Sequence, residues 1–96
     1  MARHVIWSTE ALADIEEIAE FIARDSPVYA ALTVSRLIER TEQALEFPHS
    51  GRVVPESTKP DVRELFWRDY RVIYEVMPEG VRIVTVIHGR RQLPER

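Results

Sequence analysis

The stretch that decides the fold runs from Val62 to His88 and reads VRELFWRDYRVIYEVMPEGVRIVTVIH. β-branched and aromatic residues dominate it, and two short polar breaks, Arg68-Asp69 and Pro78-Glu79-Gly80, divide it into three runs. Such runs are typical of β-strands, and tight connections between consecutive strands produce an antiparallel meander. The first break lacks the glycine that is usual in a two-residue hairpin turn, so the strand ends there are the least sharply defined. The sequence predicts strands over Val62–Trp67, Tyr70–Met77 and Val81–His88.

Before this stretch the apolar residues change to a helical period. Ala11, Ile15, Ile18 and Ile22 recur at helical spacing after a hydroxyl cap at Ser8 or Thr9, which predicts a helix of about sixteen residues. The segment Asp25-Ser26-Pro27 then ends this helix and starts another, because Ser26 can cap and proline is well tolerated at the first helical position. The second apolar stripe stops at Phe47-Pro48-His49-Ser50-Gly51, where a proline and a glycine break the helix.

The order of elements is therefore β-αα-βββ, with His4–Trp7 as a short first strand. Two helices joined by a turn of three or four residues form an antiparallel hairpin, and one face of the sheet is free to pack against it. This arrangement predicts an α+β fold, a two-layer sandwich of a helical hairpin on an antiparallel-rich sheet. At 96 residues the chain is long enough for one domain, 1–96, with a single modest core.

Charge is distributed unevenly along the chain. The net charge is −3 and the pI about 5.6, which argues against a protein that coats nucleic acid electrostatically. The first 48 residues carry nine acidic side chains against four arginines, whereas the remaining residues carry nine basic side chains against seven acidic ones. Any basic or anion-binding surface is therefore expected in the second half.

Other classes of protein are disfavoured by composition. No run approaches the roughly 20 apolar residues of a membrane span, and the N-terminus lacks an apolar secretory segment, so we expect a cytoplasmic protein with no membrane partner. The chain has no cysteine, and its three histidines show no zinc-binding spacing. We expect neither a metal nor a cofactor.

Arginines mark the predicted meander and the tail VIHGRRQLPER that follows it. Because side chains alternate between the faces of a sheet, strand arginines should point away from the helices and gather on the open face. Such a patch could bind phosphate or the acidic side chains of a partner. The alternative is a solvated face whose arginines pair with Glu64, Asp69, Glu75 and Glu79. The arginines concerned are Arg63, Arg71, Arg82, Arg90 and Arg91.

The aromatic residues, the histidine that closes the last strand and one loop carboxylate give weaker evidence of function than the arginines. Trp7, Trp67, Tyr70 and Tyr74 are more typical of core or cross-strand packing than of base stacking. His88 can act as an acid or base near neutral pH, but a histidine that closes a strand is more commonly structural. Glu56 is a loop carboxylate, and no nucleophile elbow, phosphate-binding glycine loop or carboxylate pair accompanies these residues.

Read in order, four segments resemble the RelE/ParE toxins of type II toxin–antitoxin modules, some of which are called plasmid stabilisation proteins. The segments are WSTEALADIEEIAEFIARDSP, FPHSGRVVPE, VRELFWRDYRVIYEV and VIHGRRQL, and they cover nearly the whole chain. The resemblance implies the β-αα-βββ sandwich and a growth inhibitor neutralised by a cognate antitoxin. It also implies a toxin–antitoxin hetero-oligomer that reaches operator DNA only through the antitoxin, whose acidic residues pair with toxin arginines.

The superfamily divides by target. RelE-like members cleave mRNA in the ribosome, and the resemblance would assign catalytic roles to Arg71, Arg91, His88 and Glu56. Against this, Val62 and Glu64 stand where RelE has functional lysines, and no tyrosine follows Tyr74. ParE-like members inhibit DNA gyrase without being enzymes. The motifs HGRR and GRVVPE resemble that group more than the RelE-like group.

Together with the negative net charge, these departures favour the ParE-like branch, in which Arg63, Arg71, Arg90 and Arg91 would bind the target. The mRNA endonuclease stays open as an alternative, as does a non-toxic partner-binding module.

Overall fold

The computed structural model describes residues 3–89 and shows two helices packed on one five-stranded sheet. The elements are β1 (His4–Trp7), α1 (Thr9–Ala23), α2 (Pro27–Glu46), β2 (Arg52–Val53), β3 (Val62–Trp67), β4 (Tyr70–Met77) and β5 (Gly80–His88). The predicted α+β class and the β-αα-βββ order are confirmed. The two-residue strand β2 is an addition that no pattern in the sequence indicates.

Hydroxyl caps start both helices. Ser8 is the cap of α1: its Oγ accepts a hydrogen bond from the Ala11 amide at 3.0 Å and donates one to the Val84 carbonyl at 2.8 Å. Ser26 caps α2 by accepting from the Tyr29 amide at 3.1 Å, with Pro27 at the first helical position. The Ser8 bond to Val84 ties the start of α1 to β5.

The strand order across the sheet is β1-β5-β4-β3-β2. Strands β2 to β5 pair antiparallel, as the meander predicts, while β1 pairs in parallel with β5. The β3–β4 turn is tight, because Trp67 pairs with Tyr70 across it, and Arg68 takes a left-handed φ of 51° where glycine is usual. The turn therefore keeps its two-residue length, with Arg68 in a backbone conformation that glycine usually occupies.

Parallel pairing of β1 depends on Gly80. In the register, His4 lies opposite Gly80, whose φ is +144°. A Cβ at this position would lie 2.0 Å from the His4 carbonyl oxygen. Gly80 therefore allows the first strand to approach the start of β5, and any larger side chain forces them apart.

Each face of the sheet carries a buried cluster. On the helix side, residues of α1 and α2 pack with β4 and β5, and the aromatic residues Trp7, Trp67, Tyr70 and Tyr74 lie in or against this core as predicted. On the other face a smaller cluster contains Val54, Val62, Ile73 and Val84. Because Val54 lies between β2 and β3, this connecting segment covers part of the face that the helices leave open. Within residues 3–89 no helix is long and apolar enough to cross a membrane.

Candidate functional site

An ion-pair network centred on Arg71 lies on the sheet face opposite the helices. Arg71 is 5% exposed, and its Nε donates to Glu64 Oε1 at 2.6 Å. Its two terminal nitrogens donate to the two oxygens of Glu56, at 3.0 Å from Nη1 to Oε2 and 2.9 Å from Nη2 to Oε1. The guanidinium is therefore bound bidentately by one carboxylate and from its side by another.

These contacts fix the charge state of Arg71. The hydrogen bonds that Arg71 donates to Glu56 raise the pKa of Arg71 above its already high ordinary value; burial works against this rise, and Glu64 adds to it. Arg71 therefore stays positively charged at every pH at which the protein folds. Two carboxylates within hydrogen-bond distance neutralise that charge inside the protein.

Glu64 also holds a second arginine, Arg52 of β2. The Glu64 side chain is fully buried, and its Oε2 accepts from Arg52 Nε at 2.5 Å. The guanidinium of Arg52 lies over the ring of Phe66, 5.2 Å from its centroid. In contrast with Arg71, the side chain of Arg52 is 59% exposed. The sequence offered no signal for Arg52, since its position depends on a strand of only two residues that pairs with Glu64.

Arg63 does not join this network. It pairs across the sheet with Tyr74, which belongs to the helix-side core, and its Nη1 donates to the Gly51 carbonyl at 2.9 Å. Its Nε is buried without a hydrogen-bond partner among the described residues. The expectation that Arg63 shares the open face with Arg71 is wrong, because neighbouring residues of a strand point to opposite faces and Glu64 already faces Arg71.

Arg82 is paired with a local carboxylate, which is the alternative expected for the strand arginines. Its Nη2 donates to Glu75 Oε1 at 3.0 Å across the β4–β5 pair. The predicted pairing with local carboxylates is thus confirmed for Arg71 with Glu64 and for Arg82 with Glu75. On the described part of the sheet, the open face is a set of paired charges rather than a patch of free arginines.

The histidine lies apart from the Glu56–Arg71 pair. The ring of His88 makes an edge-to-face contact with Tyr70 at 5.8 Å between centroids. His88 lines a groove beside α1 with Asp14 and Phe21, whereas Glu56 and Arg71 line a different depression. The structure brings Glu56 and Arg71 together as a catalytic set would require, but it does not bring His88 to them.

Arg90 and Arg91 lie outside the described residues, which end at Gly89. Gly89 donates through its amide to the Asp69 carbonyl and lines the same depression as Arg52, Glu56 and Arg71. The chain therefore leaves the described sheet beside the ion-pair network. From Arg3 to Gly89 no group of three or more acidic, histidine or cysteine side chains is placed to hold a metal ion.

A family model described as the ParE toxin of type II toxin–antitoxin systems matches residues 5–93. The chain belongs to the ParE toxin family. Two curated relatives agree with this membership. The protein Y4kP of Sinorhizobium fredii, whose toxin name is provisional, is 34% identical over 95 residues, covering 97% of this chain and 95% of that protein. Toxin RelE2 of Caulobacter vibrioides is 32% identical over 88 residues, covering 91% of this chain and 96% of that protein.

Solved structures share the fold of this ParE-family chain. A chromosomal ParDE toxin–antitoxin structure from P. aeruginosa superposes with a TM-score of 0.73 at 20% identity, covering 90% of this chain and 95% of that one. A double arginine-to-alanine variant of E. coli toxin RelE in the free state gives a TM-score of 0.64 at 19% identity, covering 94% and 86%. The protein is thus a RelE/ParE superfamily toxin with the two-layer fold of both branches.

Proposed function

We propose that this ParE-family toxin arrests growth by binding DNA gyrase, without cleaving RNA, and that a cognate antitoxin neutralises it. The observation that carries the proposal is the burial of Arg71 between Glu56 and Glu64. An arginine that stabilises a scissile phosphate must present free donors where negative charge develops. Here the described donors of Arg71 are directed at protein carboxylates.

The surroundings of Arg71 give further support. Two carboxylates beside the guanidinium would repel an approaching phosphate group, and His88 lines a different groove. The sequence holds one lysine, Lys59, and it lies in the segment between β2 and β3 rather than on a strand. A nuclease mechanism would therefore have to work without a free cation at Arg71 and without the histidine beside it.

An mRNA endonuclease is the second candidate. It is favoured by the bidentate Glu56–Arg71 pair, which a nuclease could use if substrate binding opened it, and by the relative named toxin RelE2. A partner-binding module without toxicity is the third candidate, and it predicts that induction leaves cells viable.

Family membership implies an antitoxin partner, and we propose that the two proteins form a hetero-oligomer in the cytoplasm, where gyrase acts. On this proposal operator DNA is contacted only by the antitoxin. The negative net charge of the toxin agrees with this division, since a protein with net charge −3 is not steered towards DNA.

Two assays separate the candidates. Induction of the toxin without antitoxin should arrest growth while reporter mRNAs remain uncut at their codons. Arg71→Ala is the comparison variant in the cleavage assay once its melting temperature shows that it is folded, and wild type and variant should then give the same uncut pattern. Codon-level cuts that appear with the wild type and disappear with Arg71→Ala would reject the proposal in favour of the endonuclease.

A further inference from the structure

The second half of β5 has a strand partner on one side only. β1 pairs with β5 from Gly80 to Ile83, where the chain leaves the sheet and turns into α1. β5 continues to His88, so residues 85–88 pair with β4 on one side and meet no strand of the described sheet on the other. This segment reads TVIH and contains no proline, lysine or arginine. A β-rich segment of this kind at a sheet edge is a template for pairing with another chain.

A register shift in the β4–β5 pair decides which backbone groups face this edge. Val84 has no partner on β4, because its neighbours Ile83 and Thr85 lie opposite consecutive residues of that strand. Before the shift, the carbonyl of Ile83 faces the edge and accepts from the amide that starts α1. After the shift, the amide of Val86 faces the same edge. Without the extra residue, this amide would point to β4 instead.

Asp14 of α1 closes this edge. Its Oδ2 accepts hydrogen bonds from the Val86 amide at 3.0 Å and from the Thr85 hydroxyl at 2.5 Å. A carboxylate oxygen therefore lies where the backbone carbonyl of a further strand would lie. Thr85 and Val86 are each 2% exposed, so this contact covers the edge as well as satisfying the amide. A charged side chain is one of the features by which folded proteins keep an edge from adding a strand.

The surface beside the edge has apolar walls that a strand could cover. A groove of about 230 Å³ runs between α1 and β5, and Val86, His88 and Phe21 line it. Phe21 is 68% exposed, which is unusual for a large aromatic side chain. Glu17 lines the groove together with Asp14, and its described lining contains no lysine or arginine. Two carboxylates of α1 therefore border an otherwise apolar strand edge.

We infer that Asp14, with Glu17 beside it, keeps the toxin from pairing with a second copy of itself through residues 85–88. A second copy fits this edge because two identical edges pair antiparallel about a two-fold axis, with each donor meeting an acceptor. In such a pair both copies bring the same two carboxylates to the contact, where like charges repel each other. The role of Asp14 is independent of the target on which the toxin acts.

Three full-length variants test this role. Asp14→Ala uncovers the Val86 amide and removes one of the two charges. Thr85→Val removes the other donor to the same carboxylate but leaves the Val86 amide covered, so it separates a loss of stability from an open edge. Glu16→Ala is the matched control, because Glu16 is an exposed carboxylate of α1 that does not line the groove. Melting temperatures verify that the variants fold.

Sedimentation equilibrium measures self-association, and hydrogen exchange locates the contact. Asp14→Ala should form a dimer at least about tenfold more strongly than wild type, whereas Thr85→Val and Glu16→Ala should behave like wild type. In dilute Asp14→Ala the Val86 amide should exchange at least about tenfold faster than in wild type, and it should become protected again as the protein concentration rises. This return of protection places the contact at the edge of β5.

The inference is overturned if folded Asp14→Ala associates no more than wild type, or if it associates without renewed protection of Val86. Equal association of Thr85→Val overturns it as well, since the cause would then be lost stability. Asp14→Ala that stays monomeric but binds the cognate antitoxin more tightly would assign the edge to the antitoxin instead. If Asp14→Ala does not fold, Asp14→Asn replaces it: the amide oxygen keeps an acceptor for Val86, and removal of the charge alone should strengthen association at least about threefold. Wild-type association of Asp14→Asn would then overturn the inference.

Discussion

Arg71 is an arginine whose charge is used inside the protein and not for binding an external anion. On the surface a guanidinium is a ready anion receptor, but burial makes its charge costly unless carboxylates replace the lost water. Glu56 and Glu64 supply that compensation. Glu64 accepts hydrogen bonds from both Arg71 and Arg52, one on each of its oxygens. The network therefore fixes the segment after β2 to the centre of the sheet.

Arg71→Ala should lower the free energy of unfolding by about 3–5 kcal/mol, because it leaves two carboxylates facing each other, one of them fully buried. Urea denaturation at neutral pH measures the loss. Arg36→Ala removes an exposed arginine from an ion pair and should change stability by less than about 1 kcal/mol. Equal stabilities for the two variants would show that the Arg71 network is not a structural element. Because Arg71→Ala is expected to destabilise the protein, a loss of toxicity in this variant shows that Arg71 acts on the target only if the variant is folded.

Tyr74 gives the protein an alkaline limit. Burial raises the pKa of Tyr74, and burial likewise raises the pKa of Tyr70. In the unfolded chain both hydroxyls lose their protons near the ordinary tyrosine pKa of about 10. Below this pH both tyrosines are protonated in the folded and unfolded states, whereas above it they bind fewer protons in the unfolded state. The contribution of the two tyrosines to stability should therefore be constant up to about pH 10 and be lost as the pH rises through their folded-state pKa values.

Chemical denaturation from pH 8 to 11, combined with tyrosinate absorbance of the folded protein, checks this prediction. Tyr74→Phe removes one of the two groups and should flatten the alkaline fall. It should also cost about 1–2 kcal/mol at neutral pH, because the Tyr74 hydroxyl donates to the Pro48 carbonyl at 2.6 Å and accepts from the Gly51 amide at 3.1 Å. A wild-type protein whose stability is unchanged at pH 11 contradicts the assignment.

At the scale of elements, β1 is the strand most sensitive to a single change. Gly80→Ala places a methyl group 2.0 Å from the His4 carbonyl and adds a side chain at φ +144°. We expect a loss of roughly 2–3 kcal/mol and early exchange of the β1 amides. Glu79→Ala, an exposed change in the same turn, is the control and should leave both quantities close to wild type. Slow exchange in a stable Gly80→Ala protein would show that the β1–β5 register tolerates a side chain.

Most elements were predictable because each carries a period over several turns or residues. The three meander strands agree with the expected bounds to within one residue, both helices are present, and Ser8 is one of the two caps expected for α1. β2 could not be predicted, since two residues show no period, and the parallel partner of β1 depends on packing. The ion-pair network was harder to predict from the sequence for the same reason. The β3–β4 register decides that Glu64 and not Arg63 faces Arg71, and Arg52 enters the network only through β2.

At the scale of the molecule, the helical hairpin is acidic, and three arginines of the described sheet, Arg52, Arg71 and Arg82, are paired with carboxylates. Family membership implies an antitoxin partner. We expect the toxin to co-purify in a stable complex with the product of the gene adjacent to its own, and growth arrest to disappear when both are expressed. Tagged co-expression followed by gel filtration measures the complex. A toxin that elutes alone, together with normal growth when it is induced without that gene, contradicts this account.

The central claim is that this ParE-family toxin acts on gyrase rather than on RNA. Its most direct test is gyrase supercoiling of a relaxed plasmid in the presence of increasing amounts of purified toxin. The account predicts that supercoiling is lost as toxin reaches excess over gyrase and returns when the antitoxin is added. Undiminished supercoiling at a large excess of folded toxin that still arrests growth would contradict it.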